Sequence, residues 1–440
     1  MIPLLIVAGA AVALTVLAVA LNSANDSFSS NPVGATTATP CTPPCQFAGA
    51  MQSVTFNSNI LVARQKNTVT APHWTLGQDV TDGAGSQRPA VYLVQGMGSY
   101  NVSVQVNVTQ AVNCPGSADL TGRLDTLEIR GQLPVAVGMQ TASATITAPP
   151  PGIAWYKGDM AWGVDVPGCG SFTLGTTRVE IFFVLDTPIP VYQSGVGVWV
   201  EALRLLCQQA AVLGLTVKRD AAAAVARFCH SGHGLRYDTH NGAPSYGVSG
   251  SGGSFDLDRY IQRAASSCNC YDQAAAVQSL SGALGVGTGW DYLEPFGYLK
   301  TTDLVGVGQC NNPFFDSNGS QPVVGANDAS RTSFGNHAFC QYQAPASGGG
   351  TAPAAQVLDA CAGPHLATES GGQYCTAGID SETDTQKYQT DRDSMVNNWI
   401  ASNSGAPPDV IANVRAAAAA HWHPGTGADI QSKAGVTGVQ

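Results

Sequence analysis

The sequence predicts an α+β chain in three parts: an N-terminal hydrophobic helix, an all-β sandwich, and a domain that mixes helices with strands. Three observations carry this. The first 21 residues contain no charged side chain. Residues 51–190 alternate apolar and polar side chains in short runs broken by Gly, Pro and Asn, the period of half-buried strands. Beyond Pro188-Ile189-Pro190 the apolar period lengthens to that of a helix.

Composition sets the frame. A chain of 440 residues is long for one domain, and two are the natural expectation. Hydrophobic residues make up 44%, enough for sizeable cores. Charged residues make up only 11%, so Ser, Thr, Asn, Gln and Gly carry the surface, a balance suited to a secreted or surface protein. The formal net charge is -10, from 20 basic and 30 acidic residues, and no Lys/Arg cluster occurs. That excludes the basic stripe a nucleic-acid partner requires. Twelve scattered cysteines argue for disulfides and an oxidising, extracytoplasmic compartment, secreted or membrane-anchored.

In order along the chain, residues 1–21 are long enough to span a membrane as a helix of about 20 residues. They also read as a signal peptide h-region with Ala18-Val19-Ala20 as a small-residue cleavage site, though without a Lys/Arg n-region. Either way membrane contact is expected through this segment. Residues 22–50 are Ser/Thr/Pro-rich and read as a linker, with Cys41-Thr42-Pro43-Pro44-Cys45 as a candidate short disulfide loop restricted by its prolines. The sandwich, residues 51–190, is clearest in Asn101 to Val108 and in Arg178 to Leu185. Cys114 and Cys169 fall in its loops as candidate staples, and its expected role is presentation or recognition. Residues 191–380 form the mixed domain. Trp199, Leu203, Leu206, Cys207 and Ala210 share one helical face, and Asp220 opens an Ala-rich helix through Phe228. A Gly/Ser-rich loop follows, and Phe255 to Ile261 starts another helix. Residues 381–440 carry two weak helical patterns and a Gly-rich tail, a helical or flexible extension.

The chemistry concentrates in three places. In Ser267-Cys268-Asn269-Cys270-Tyr271-Asp272-Gln273-Ala274, a cysteine stands where an Ala-rich helix begins, and the helix runs to Leu284-Gly285. The unsatisfied N–H groups and positive dipole end of a helix N-terminus stabilise a thiolate. The Cys270 N–H can also face a developing oxyanion. Asn336-His337-Ala338-Phe339 opens a strand, and Val357-Leu358-Asp359-Ala360 ends another. A strand carrying His beside one carrying Asp can place a carboxylate on an imidazole, which then faces the thiol: nucleophile, base and orienter.

With these residues in view, the chain resembles the transglutaminase-like superfamily of papain-like cysteine enzymes, over roughly residues 200–380. The matching pieces are Asn269 to Ala274 with the following helix and Leu284-Gly285-Val286, then Asn336 to Phe339, then Val357 to Ala360. The resemblance implies Cys270 as nucleophile, His337 as general base and acid, and Asp359 as orienter. It implies an amide hydrolase or acyltransferase (peptidase, deamidase or transglutaminase-type) acting on a protein or peptide amide, with no cofactor and no metal. Animal members stabilise the oxyanion with a tryptophan near the nucleophile, and Trp290 is the nearest candidate.

Other readings compete for the same residues. Cys270 is also a candidate disulfide half, with Cys268 or another partner. With Cys270 as nucleophile, Cys268 is expected to pair with Cys229 or Cys207, and Cys310–Cys340 and Cys361–Cys375 are candidate bridges. Cys229-His230-Ser231-Gly232-His233 and His421-Trp422-His423 look like metal tracts, but no C-x-x-C or H-E-x-x-H accompanies them, and both look polar and exposed. Gly282 to Gly289 is Gly-rich but follows a helix and has no Lys, so the phosphate-loop reading fails. A different class of function stays open too: a surface binding or adhesion protein whose enzyme-like fold is inactive. A secreted toxin or effector using the same amide chemistry is a third.

Overall fold

The computed structural model describes residues 44–440, apart from 294–301, 311–335, 346–354, 362–396, 422–429 and several shorter stretches. The expected helix at 1–21 and Cys41 therefore lie outside the described residues. Among those described, no helix is long and apolar enough to cross a membrane.

The alternating region folds as one nine-stranded sheet. Its strands are β1 (Gln46–Phe56), β2 (Trp74–Thr75), β3 (Ala90–Leu93), β4 (Asn101–Val112), β5 (Ser117–Leu124), β6 (Leu127–Pro134), β7 (Gly138–Ile146), β8 (Ala154–Val166) and β9 (Gly170–Val184). The order is β2-β1-β4-β7-β6-β5-β8-β9-β3. Every pair is antiparallel except β9–β3. Alternation does what the period demands: Val102, Val104, Val106 and Val108 of β4 are all buried, while Gln105 between them is exposed. The strands expected to form a sandwich belong here to one sheet. The sheet is continuous and rolls over so that β1 packs on β9, enclosing Val54, Ile129, Trp162 and Phe183. The cause lies in the bulges: the register slips at Ala48/Gly49 and Met51/Ser53 in β1 and at Trp162/Gly163 in β8, which lets long strands bend from one layer into the other. Gly122 makes room for this core, because a Cβ there would sit 2.6 Å from the Trp162 ring.

Cys45 pairs with Cys169, tying the start of β1 to the β8–β9 turn, so the expected Cys41–Cys45 loop is not the bond Cys45 makes. The chain's two ends of this staple are 124 residues apart and meet because both strand ends lie at the same rim of the sheet.

The mixed region begins with α1 (Val200–Cys207) and α2 (Lys218–Arg227), followed by β10 (Gly252–Phe255) and α3 (Leu257–Gln262). Next come α4 (Cys270–Ala283), β11 (Gly289–Leu293), β12 (His337–Tyr342) and β13 (Gln356–Leu358). Last are α5 (Pro408–His421), β14 (Ile430–Lys433) and β15 (Gly435–Val439). Four strands make an antiparallel sheet in the order β13-β12-β11-β14, and β15 pairs parallel with β10. The Gly-rich tail thus departs from the expected flexible extension. Its own propensity for a strand is low, but the ladder partners are already in place. Val436 N–H donates to Gln278 Oε1 at 2.7 Å. Gly435, at φ +70°, fits where a Cβ would come 2.3 Å from that same oxygen.

Helix α4 runs through the centre of this region. Ala274, Ala275, Ala276, Val277, Leu280 and Ala283 are all buried, so it is covered on every side rather than along one stripe. Small side chains permit that close packing. Where α4 ends, Gly285 holds φ +77° and lies so near Asp186 that a Cβ would be 2.0 Å from its carbonyl oxygen. The two regions are also joined by a buried, two-pronged ion pair. Arg204 Nη2 of α1 lies 2.6 Å from Glu180 Oε2 of β9 and Arg204 Nε 2.9 Å from Oε1, with the Trp155 indole donating to Oε1 at 3.0 Å.

Candidate active site

The site is built from the head of α4. Asn269 is its N-cap, and its Oδ1 accepts from Asp272 N–H at 3.1 Å. Asp272 returns the bond, accepting from Asn269 N–H at 3.1 Å, a reciprocal capping box. The same carboxylate also accepts from Ser245 N–H at 2.8 Å and Tyr246 N–H at 3.0 Å, while Asn269 Nδ2 donates to Gly242 O at 2.9 Å. Burial pushes Asp272 up to about 6, and the three N–H donors work against that rise. The result is a helix start held on both sides by the 242–246 loop, with Cys270 as its first residue. There the backbone N–H has no intrahelical partner and the dipole is positive.

Opposite stand β12 and β13, paired with Cys340 across from Leu358. His337 opens the first and Asp359 directly follows the second. His337 Nε2 lies 2.6 Å from Asp359 Oδ2, and Cys361 N–H donates to Asp359 Oδ1 at 2.9 Å, so both carboxylate oxygens are engaged. Cys270 lies near enough to His337 to favour the charged form of its imidazole. The structure therefore gathers Cys270, His337 and Asp359 in one cluster, with exposures of 4%, 0% and 1%. His337 is raised to about 10: burial opposes its charged form, but the Asp359 carboxylate, by charge and hydrogen bond, and then Cys270 favour it. Chemically this can abstract a thiol proton, hold it on the imidazole and keep the ring oriented.

Cys270 is recorded as a thiol, not a disulfide half, and so are Cys207, Cys229, Cys268, Cys340 and Cys361. The expected pairings of Cys268 with Cys229 or Cys207, of Cys310 with Cys340 and of Cys361 with Cys375 are therefore corrected. The reason is packing: each thiol is turned into the core of its own element. Cys340 Sγ donates to Ala274 O at 3.0 Å, and Cys268 Sγ reaches toward Arg236 O at 3.6 Å. Burial pushes the Cys207 and Cys229 thiols up to about 12. It raises Cys268, Cys340 and Cys361 further, keeping all five protonated and sluggish at neutral pH.

Residues 229–233 are exposed at Ser231 and Gly232 but buried at both ends, Cys229 and His233. They follow α2 as a wide π-helical turn, Phe228–Gly232, and the His233 side chain has its Nε2 2.7 Å from Tyr260 O and its ring stacked on Tyr260. Trp290, the nearest oxyanion candidate, is buried too, and its indole N–H donates to Gly250 O at 2.9 Å. Three sulfurs at the sheet's rim, from Cys45, Cys114 and Cys169, lie within 4.8 Å of one another. Because two of them share a disulfide, they offer a metal one thiolate rather than three.

Some residues around the cluster escape a reading of the sequence. Tyr237 is buried, and its hydroxyl is raised by burial first and by the nearby Cys270, Cys361 and Cys268 sulfurs next. Nothing local marks it, since β-strand tyrosines are common. Asp272 was findable: Asn269-x-x-Asp272 is a capping-box spacing. Tyr271 Oη donates to Asn336 Oδ1 at 2.5 Å, and the signal for that pair was adjacency to Cys270 and His337.

No family model and no curated protein matches the chain. Among solved structures, it is similar to red sea bream transglutaminase, with a TM-score of 0.36 and 12% identity over 67% of this chain. The match spans about half of that protein, 53% of its chain.

Proposed function

We propose that this chain is a cysteine-nucleophile amide hydrolase or acyltransferase that works through a thioester. The observation that carries the reading is Cys270 at the head of α4 beside a buried His337–Asp359 pair. His337 takes the thiol proton as Cys270 sulfur attacks a carboxamide or peptide carbonyl. The Cys270 N–H supplies one oxyanion donor. The imidazolium, held by Asp359, returns the proton to the leaving amine, and water or a second amine resolves the thioester. The substrate is a protein or peptide amide, met outside the cytoplasm, a location with which the Cys45–Cys169 bridge is compatible.

The test is site-resolved alkylation at pH 7 with iodoacetamide, read by peptide mass spectrometry, followed by release of amine or ammonia from peptide and glutamine substrates. Cys270 is expected to label fastest of the chain's thiols, and Cys270→Ala to lose both that labelling and the release. Labelling confined to other thiols, with release unchanged in Cys270→Ala, would instead favour an inactive scaffold that serves binding or adhesion.

A further inference from the structure

The nucleophile and the base ride on separate elements. Cys270 heads α4 and His337 opens β12. A shift of about 1 Å between such groups costs on the order of a hundredfold in rate. Something must therefore hold the head of the helix to the foot of the strand. Cys340 Sγ bonds Ala274 O one turn deeper along α4, but that contact is remote from the reacting atoms. At the site itself, Tyr271 is the residue after Cys270 and Asn336 the residue before His337. Tyr271 Oη donates to Asn336 Oδ1 at 2.5 Å, across 65 residues of sequence. Each end of this bond is one residue from a member of the cluster.

We infer that Tyr271 and Asn336 are a positioning pair, a clamp that sets the separation and alignment of Cys270 and His337. Each acts through its neighbour in the chain. The phenol supplies the reach and the amide oxygen the acceptor, and the bond spans the seam between α4 and β12 where the thiol proton must cross. The inference rests on the thioester reading above, and it assigns a purpose to two side chains which that mechanism leaves idle. Asp272 completes the support from the other side by fixing the turn that precedes Cys270.

The experiment is a double-mutant cycle in the full chain. Tyr271→Phe, Asn336→Ala and the double variant are compared for the rate of Cys270 alkylation across pH, with thermal midpoints measured alongside and Cys270→Ala as control. Each single change should slow alkylation at pH 7 by about 3- to 10-fold, the worth of one hydrogen bond. Each should also move the pH–rate profile toward higher pH, because the imidazole no longer meets the thiol in register. The double variant should be no slower than the slower single, since both changes remove the same bond. Unaltered rates and profiles, or a double variant whose loss is the product of the two single losses, overturn the clamp even if thermal midpoints fall. Slow alkylation of Cys270 in the parent chain is a separate outcome, and it removes the thioester reading itself.

Discussion

The rolled sheet and the region around α4 bury their cores in opposite ways. Inside the sheet the buried polar side chains among the described residues are Thr177 and Glu180. The first accepts the Trp162 indole N–H at 2.8 Å, and the second faces away toward Arg204. Around α4 the buried set includes Asn269, Asp272, Gln273, Gln278, Asp291, His337, Gln356 and Asp359. Most of these hold a neighbouring element by a named bond. Gln273 accepts from Tyr260 Oη at 2.8 Å and donates to Cys229 O at 3.0 Å, linking α4 to α3 and to the end of α2. Gln278 does the same for β15 and Thr288. The difference teaches where specificity resides. An apolar core tolerates substitution of similar volume, whereas a buried polar network fails when one member is removed. Cys270, His337 and Asp359 lie in the second kind of core.

The largest effect that would test this contrast comes from the ion pair that joins the two regions. Arg204→Met strands Glu180 in the interior and should cost about 3–5 kcal/mol in urea denaturation. A loss under about 1 kcal/mol would mean that the regions are not coupled through that bond. Gln278→Leu, which keeps the volume but leaves Val436 N–H and Thr288 C=O without partners, should cost about 1–3 kcal/mol. It should also expose residues 430–440 to limited proteolysis.

The third test is pH. The folded value of His337 lies above its ordinary 6.5, at about 10, so the folded chain keeps a proton that the unfolded chain releases. That stabilisation is complete below about pH 6.5 and is lost as pH climbs toward 10, with a slope of at most about 1.4 kcal/mol per pH unit. His337→Gln should flatten the denaturant midpoint against pH in this window. A slope that persists in that variant would assign it to another group. Asp272 and Asp291, both raised by burial from 3.8 to about 6, act lower: the stability they lend as neutral acids is whole below about pH 4 and falls as pH passes 6. Asp291→Asn should reduce that slope. The smallest effect belongs to the sheet. Ile129→Val should cost about 0.5–1.5 kcal/mol and leave the Cys270 alkylation rate unchanged.

Much of the architecture was legible from local pattern. The period-two runs mark β4 and β9 because a strand with one wet face must alternate. The Ala-rich run after Cys270 marks α4 because small side chains suit a helix that packs on all sides. The rolled sheet was not legible, since a bulge costs one residue in register and leaves no compositional trace. Nor were the bonding states of the cysteines: spacing along the chain says little about which sulfurs meet, and Cys45 found Cys169 across 124 residues. The tail's strands were hidden for a related reason, because Gly-rich residues 434–440 gain their order from β10 and Gln278 rather than from themselves.

By itself, the sequence determined the alternating strands, the helix after Cys270 and the chemical character of Cys270, His337 and Asp359, because periodicity and side-chain type are properties of neighbours in the chain. Only the tertiary structure decided that the imidazole meets the carboxylate at 2.6 Å, that Trp290 donates to Gly250, and that Tyr271 reaches Asn336. Those are distances between residues far apart in sequence, set by how α4, β12 and β13 pack, and no local pattern encodes them.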